Sequence, residues 1–363
     1  MKKEFLRWLR LPNKRCLLLF TIALYSHTLF ASSAVLVTGG AGYIGSHTCA
    51  ALERAGFIPV AYDSLVHGSE ESVKWGPFIQ GDLCDEEKLD LAFQMYKPIA
   101  VVHLAALRSV PESVKDPYSY YQTNVAGSLN LLRAMQKYGV DKIVFSSSCA
   151  IYGDADLDTM DEETPKNPMN PYSRSKWFFE QILEDFSHAY GLNYATLRYF
   201  NVAGMDPTLG LKRVPFTSSP PLIISILTTL LQPEASFHIY GTDYSTPDGS
   251  AVRDFIHVSD IARAHVLALV HLQSGYESLT LNLGTGRGYS VKEVVQTTEK
   301  IIDRQVPCIV EGRRPGDMSQ AVANASRSSR ILNFVPQYSD LSSIIESEWK
   351  VLQESQSLKS SPK

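Results

Sequence analysis

The chain has 363 residues, with 34 Lys and Arg against 38 Asp and Glu and a formal net charge of −4. That length allows one large α/β unit or two lobes, and the mild charge without a basic stripe speaks against nucleic acid. Five scattered cysteines (Cys16, Cys49, Cys84, Cys149 and Cys308) lack C-x-x-C spacing, so neither a disulfide framework nor a metal site is expected.

Residues 1–33 stand apart. Six Lys and Arg precede an apolar run at 16–25, which is followed by Ala31-Ser32-Ser33. That order resembles a secretory signal peptide cut before Ala34, yet the cut would put the first predicted strand at the mature terminus. A membrane anchor or an upstream extension from a miscalled start are the competing readings. The favoured one is a cytoplasmic catalytic unit, with membrane contact only if this segment is kept as an anchor.

Residues 34–37 read as a buried parallel strand that breaks at Thr38-Gly39, and a helix follows from Ser46. Gly40, Gly42 and Gly45 fit G-x-G-x-x-G, and Gly39, Gly42 and Gly45 fit G-x-x-G-x-x-G. Such glycines permit a tight turn and close approach of a pyrophosphate to a helix N-terminus. The next strand, 58–62, ends in Asp63, where a carboxylate accepts from an adenosine ribose and repels a 2′-phosphate. The pattern therefore predicts a nicotinamide dinucleotide site that prefers NAD to NADP.

Strand and helix patterns then alternate. Residues 78–80 end at Gly81-Asp82-Leu83, where an acid can meet the adenine amino group. Residues 98–104 form a buried strand followed by Ala105-Ala106, a small surface for a cofactor. Residues 117–138 read as one long helix with Val125, Leu129, Leu132 and Met135 on its apolar face. Residues 141–145 form a strand that runs into Ser146-Ser147-Ser148, a second long helix spans about 171–190, and 194–198 is a strand. This order implies a doubly wound, mostly parallel Rossmann-type sheet with ligands at the C-terminal strand ends. The second half is richer in loops. Residues 222–231 and 291–303 look helical, 241–249 is a turn-rich excursion, and 351–363 is a polar tail.

Tyr172 and Lys176 form Y-x-x-x-K at a helix start, and positions i and i+4 share one face. A cation beside the phenol lowers a pKa near ~10 toward the working range. Ser148, at a strand end, can relay a proton between a substrate oxygen and Tyr172. Together the three residues form a catalytic set.

The motifs T-G-G-A-G-Y-I-G-S, F-S-S-S-x-x-x-Y-G, P-Y-S-R-S-K, L-R-Y-F-N-V-A-G and V-R-D-F-I-H-V together resemble the extended short-chain dehydrogenases/reductases. The stretch 241–258, GTDYSTPDGSAVRDFIHV, with R-x-G-D at 314–317, is similar to the UDP-glucose/UDP-galactose 4-epimerases. That resemblance implies a bound NAD that is not consumed, a UDP-sugar substrate and a homodimer paired through the two long helices. It implies a mainly NAD-binding domain over 34–200 and a mainly UDP-sugar-binding lobe over 201–350. Residue by residue, Gly39, Gly42, Tyr43, Ile44, Gly45, Ala105, Ala106 and Tyr199 would border the cofactor. Asp63 would hold the ribose, and Asp82 with Leu83 the adenine. Arg108 replaces a cofactor-contacting lysine, while Asn124, Tyr172 and Lys176 would lie on the nicotinamide side. For the substrate, Phe200 and Asn201 would border sugar and diphosphate, and Arg253 and Arg314 would clamp phosphates. Leu222, Tyr240 and Asp317 complete that set. Pro221 departs from the Asn or His usual there, which removes a side-chain hydrogen bond.

Ala321 falls where a large residue confines the family to a plain sugar 2-hydroxyl. A methyl there leaves room for an acetamido group unless a neighbour fills the space. UDP-N-acetylglucosamine/UDP-N-acetylgalactosamine would then join the glucose/galactose pair. A dehydratase is disfavoured, because Cys149-Ala150 stand where its Asp-Glu pair would be. A UDP-xylose/UDP-arabinose 4-epimerase and a non-catalytic NAD-binding regulator are the alternatives.

Overall fold

The computed structural model describes residues 33–360 apart from 156, 214–219, 233 and 315–316. The signal-like stretch of residues 1–33 lies, except for Ser33, outside the described residues. Among them no helix is long and apolar enough to cross a membrane, and no cluster of His, Cys, Asp and Glu could hold a metal ion.

The first half supplies strands β1 (Ala34–Thr38), β2 (Ile58–Asp63), β3 (Phe78–Gln80), β4 (Ala100–His103), β5 (Lys142–Ser148) and β6 (Asn193–Tyr199). The second half adds β7 (Asn201–Ala203), β8 (Phe237–Tyr240), β9 (Val252–His257), β10 (Leu279–Leu283), β11 (Gly288–Ser290), β12 (Cys308–Glu311) and β13 (Gln320–Ala321). Seven strands form one parallel sheet in the order β10-β6-β5-β4-β1-β2-β3. The chain winds outward in both directions from the β1–β4 pair, so a crevice opens at their C-terminal ends, the usual ligand site of such sheets.

The sheet is apolar on both faces because helices cover both. Val35, Val37, Val102, Val144 and Leu197 pack on one side, under the helix Val258–Gln273. Leu36, Val101, Ile143 and Phe145 pack on the other. The small lobe holds β11-β9-β13 with β7 beside β9, a β12–β8 pair, and a core of Ile226, Phe255, Val294 and Ile344. The two halves interleave: after β9 the chain returns to the large sheet as β10, while Met160 of the first half bridges to Ala323.

Two elements depart from the sequence reading. The helix after the glycine turn is Tyr43–Arg54, so it begins before Ser46 and contains Gly45. The long helix expected over 117–138 is instead three pieces, Pro117–Tyr121, a π-turn at Gln122–Gly127 and Ser128–Lys137. The wider turn shifts the helical phase. Leu131, Leu132 and Met135 are buried, while Leu129 turns outward.

Candidate active site

The glycine turn is shaped by close approaches. Gly39 takes a left-handed φ of +73°, and a Cβ there would lie 2.7 Å from the amide nitrogen of Ala105. At Gly45 a Cβ would come within 2.0 Å of the Gly39 carbonyl oxygen. The turn is therefore closed tightly against the Ala105-Ala106 segment across the β1–β4 crevice. The first turn of Tyr43–Arg54 carries no acidic residue, and its N-cap is Gly42. Its leading N–H groups are thus placed for phosphate.

Asp63, at the end of β2, is buried and held by two backbone amides. Ala41 donates to Oδ2 at 3.0 Å and Leu65 to Oδ1 at 2.8 Å. Burial raises its pKa, while those amides oppose the shift. Each carboxylate oxygen retains a second lone pair for a ribose hydroxyl. Asp82 is exposed and accepts from the Cys84 amide at 2.8 Å, beside the buried Leu83. A side-chain-free turn, a backbone-held carboxylate and the small Ala105-Ala106 surface fit an NAD dinucleotide.

Asn124 lies in the π-turn, and its side chain is heavily engaged. It accepts from Leu107 N at 2.8 Å and donates to Leu107 O at 2.9 Å and Ser175 Oγ at 3.0 Å. It therefore ties the loop before Arg108 to the helix that carries Tyr172 and Lys176. That wide turn brings the amide across to both partners, a use of π-geometry common near functional sites.

The helix Pro171–Tyr190 starts in a capping box between Asn170 and Ser173, with Pro171 at its first position. Its first turn presents Tyr172, whose buried phenol lies near enough to Ser148, at the end of β5, for that hydroxyl to act on it. Burial raises the Tyr172 pKa, and Ser148 and the Arg108 charge pull it back. Here the structure differs from the expected Lys176–phenol contact. Lys176 Nζ donates to the Ser146 carbonyl at 2.8 Å and lies 5.0 Å from the Phe145 ring centroid. A buried ammonium must find an acceptor, and the last turn of β5 offers one nearby. Burial pulls Lys176 down to about 7, with Glu180 opposing.

Sequence reasoning missed the polar network behind these residues. Glu180, one turn beyond Lys176, pairs with Arg198 at 2.6 Å and accepts from Ser147 Oγ. Arg198 also donates to Tyr152 Oη at 2.9 Å, and Tyr152 donates to Asn282 Oδ1 at 2.6 Å. The available signal was Glu180 at i+4 from Lys176, on the same helix face.

On the substrate side, Arg253 donates to Val252 O and Met318 O, each at 2.8 Å, with the Asp317 charge acting on it. The Arg314 guanidinium lies 3.6 Å from the Tyr240 ring centroid. Phe200 is buried at the end of β6, Asn201 opens β7, and Leu222 starts the helix Leu222–Thr229 behind Pro221, which supplies no side-chain cap. Tyr199 directs its hydroxyl to His265 Nε2 in the core. Ala321 does not border open space. It is 0% exposed, in a cluster with Cys149, Ile151, Tyr152, Met160, Phe200 and Ala323. Neighbouring side chains thus cover the methyl that the sequence reading placed at a pocket wall.

Residues 35–284 match the NAD dependent epimerase/dehydratase family. The chain is 47% identical over 317 residues to a UDP-glucose 4-epimerase of Rhizobium meliloti (strain 1021), covering 87% of this chain and 95% of that one. Among solved structures, UDP-glucose 4-epimerase from Brucella ovis in complex with NAD is 42% identical with a TM-score of 0.84, covering 88% of this chain and 98% of that chain. UDP-glucose-4-epimerase from Stenotrophomonas maltophila, with bound NAD and formylated UDP-arabinopyranose, is 39% identical with a TM-score of 0.86, covering 90% and 99%. With the sheet order, the glycine turn and the Ser148–Tyr172–Lys176 set, these likenesses place the chain in the NAD dependent epimerase/dehydratase family, among its UDP-glucose 4-epimerases.

Proposed function

We propose that the chain interconverts the C4 epimers of UDP-sugars with NAD held in the β1–β4 crevice. The observation that carries this is the buried Tyr172 phenol beside Ser148 at the C-terminal edge of the sheet, on the same edge as the glycine turn. NAD supplies reversible hydride acceptance from the sugar carbon 4. Tyr172 takes the proton of the 4-hydroxyl, Ser148 relays it, and the 4-keto sugar turns over before Tyr172 returns the proton. Lys176, through Ser146, fixes the helix against β5 and supplies nearby positive charge when protonated. Gly39, Gly42, Tyr43, Ile44 and Gly45 hold the pyrophosphate, Asp63 the ribose, Asp82 and Leu83 the adenine. Arg253 and Arg314 clamp the UDP phosphates, and Tyr240 lies by the uracil.

Incubation of purified protein with UDP-glucose, UDP-N-acetylglucosamine and UDP-xylose in parallel, followed by separation of epimers, tests this reading. Retained NAD with no epimerisation of any of the three would leave a non-catalytic NAD-binding protein.

The assembly we propose is a homodimer built on the helices around 110–137 and 171–190. Val114, Tyr118, Leu129, Phe178 and Tyr190 are large apolar side chains exposed on them, and contiguous exposed apolar surface marks an interaction site. The catalytic unit is proposed to work in the cytoplasm, where the nucleotide supply is.

A further inference from the structure

The glycine turn has little side-chain substance of its own, so its shape must be imposed by its neighbours. Tyr43, the first residue of the helix after it, is the aromatic handle they grip. The Tyr43 hydroxyl donates to the Gly204 carbonyl at 2.5 Å, and the Arg213 guanidinium lies 3.9 Å from its ring centroid. Arg213 is itself fixed. Its Nη2 donates to Glu348 Oε1 at 2.7 Å, and the two side chains are 7% and 1% exposed. Glu348 sits on the C-terminal helix Leu341–Ser360, and Ser347 beside it accepts from the Met205 amide at 3.1 Å. One turn into the first helix, His47 packs edge-on to Tyr43 and its Nε2 accepts from the Asp206 amide at 3.2 Å.

We propose that the buried Arg213–Glu348 pair is a positioning device for the cofactor, locking Tyr43 and hence the first turn of Tyr43–Arg54 in the orientation that meets the dinucleotide phosphates. A buried ion pair is poor value as a stabiliser, since an apolar pair of similar volume often does as well. Orientation is what it offers here, because the planar cation fixes the ring that it covers.

This inference rests on the NAD reading of the glycine turn, and its test reads binding rather than turnover. NAD-stripped parent protein, Arg213→Met, Glu348→Gln and the doubly apolar Arg213→Met/Glu348→Met are titrated calorimetrically with NAD and, separately, with UDP. The double variant leaves no unpaired buried charge and so keeps the fold if a single variant does not. NAD affinity is expected to fall fivefold or more in the double variant, with UDP affinity within twofold of the parent. Arg213→Lys should recover part of the loss. NAD weakened less than fivefold, or NAD and UDP lost in parallel, overturns the proposal. A parent that binds UDP and not NAD overturns the cofactor reading itself, and the proposal with it.

Discussion

Lys176 donates its ammonium to the Ser146 carbonyl at 2.8 Å, while Tyr172, one turn earlier on the same helix, sets its buried phenol near Ser148. The two members of Y-x-x-x-K thus grip successive parts of one strand end. This divides their work. In the proposed mechanism Tyr172 exchanges a proton with substrate, and Lys176 fixes the helix that carries it. Tyr172→Phe keeps the ring and its packing and removes only the proton acceptor. Turnover should fall by ~10² or more, the usual cost of losing a general base, with NAD retained. Epimerisation at the parent rate by a folded mutant would remove Tyr172 from the mechanism.

Acid sensitivity follows from buried imidazoles. Burial lowers His47 and His265 to about 4 and His103 to about 3 from 6.5. The folded pKa values lie below the unfolded one, so below pH 6.5 the unfolded chain takes up protons that the fold refuses. The contribution of these three groups is then nil above about pH 7, and stability is lost as pH falls through the window between 6.5 and each folded value. At pH 5 each of these groups contributes a loss of about 2 kcal/mol. The urea midpoint should therefore drop between pH 7 and pH 5. His265→Gln, which retains a donor and an acceptor for Tyr199 and Ile261, should remove about 2 kcal/mol of that drop, the rest falling to His47, His103 and the likewise depressed His257. An acid dependence unchanged in this variant would deny His265 its share.

The sheet and its glycine turn were legible because buried parallel strands read as apolar runs and the turn has few chemical solutions. β10, by contrast, was not assigned. Its alternation of Leu with Thr280 and Asn282 looks like a half-solvated strand, yet Asn282 is buried against Tyr152, Met160 and Glu162. The π-turn at 122–127 was hidden for a similar reason. Its cause is Asn124 reaching both Leu107 and Ser175, distant partners that no local periodicity records. Y-x-x-x-K gave the helix face correctly, but the length of a lysine side chain let the ammonium choose a strand carbonyl over the phenol.

The proposed dimer can be tested at chosen points. Phe178 stacks with Tyr121 at 6.1 Å between ring centroids, and Phe178 and Leu129 are both exposed. Charges placed there leave the monomer core untouched and are costly only if a partner covers them. Leu129→Asp/Phe178→Asp should convert a dimer to a monomer by light scattering at micromolar concentration. A monomeric parent protein would refute the assembly.

We propose that the size of residue 321, although buried, sets how broad the substrate range is. β13 sets it opposite Arg253 in parallel register, and its methyl is 0% exposed among Cys149, Phe200 and their neighbours. Cys149 follows Ser148 directly and Phe200 follows β6 beside it, so we propose that these two side chains form the wall between Ala321 and the reacting sugar. A small residue at 321 lets that wall yield, because there is no ring behind it to hold it forward. The wall must yield twice, once for an acetamido group and again while the 4-keto sugar turns over. The parent is therefore expected to epimerise UDP-N-acetylglucosamine/UDP-N-acetylgalactosamine as well as UDP-glucose/UDP-galactose. Ala321→Tyr would overpack the cluster at a cost of roughly 1–3 kcal/mol and push Cys149 and Phe200 toward the sugar. That should cut kcat/KM for the N-acetyl pair by about 10–200-fold, the range of steric discrimination in such pockets, and leave the glucose/galactose pair within a few fold. Both pairs are assayed in both proteins. If the parent never accepts the N-acetyl pair, Cys149 and Phe200 form a fixed wall, and the size of residue 321 has no bearing on specificity in this chain.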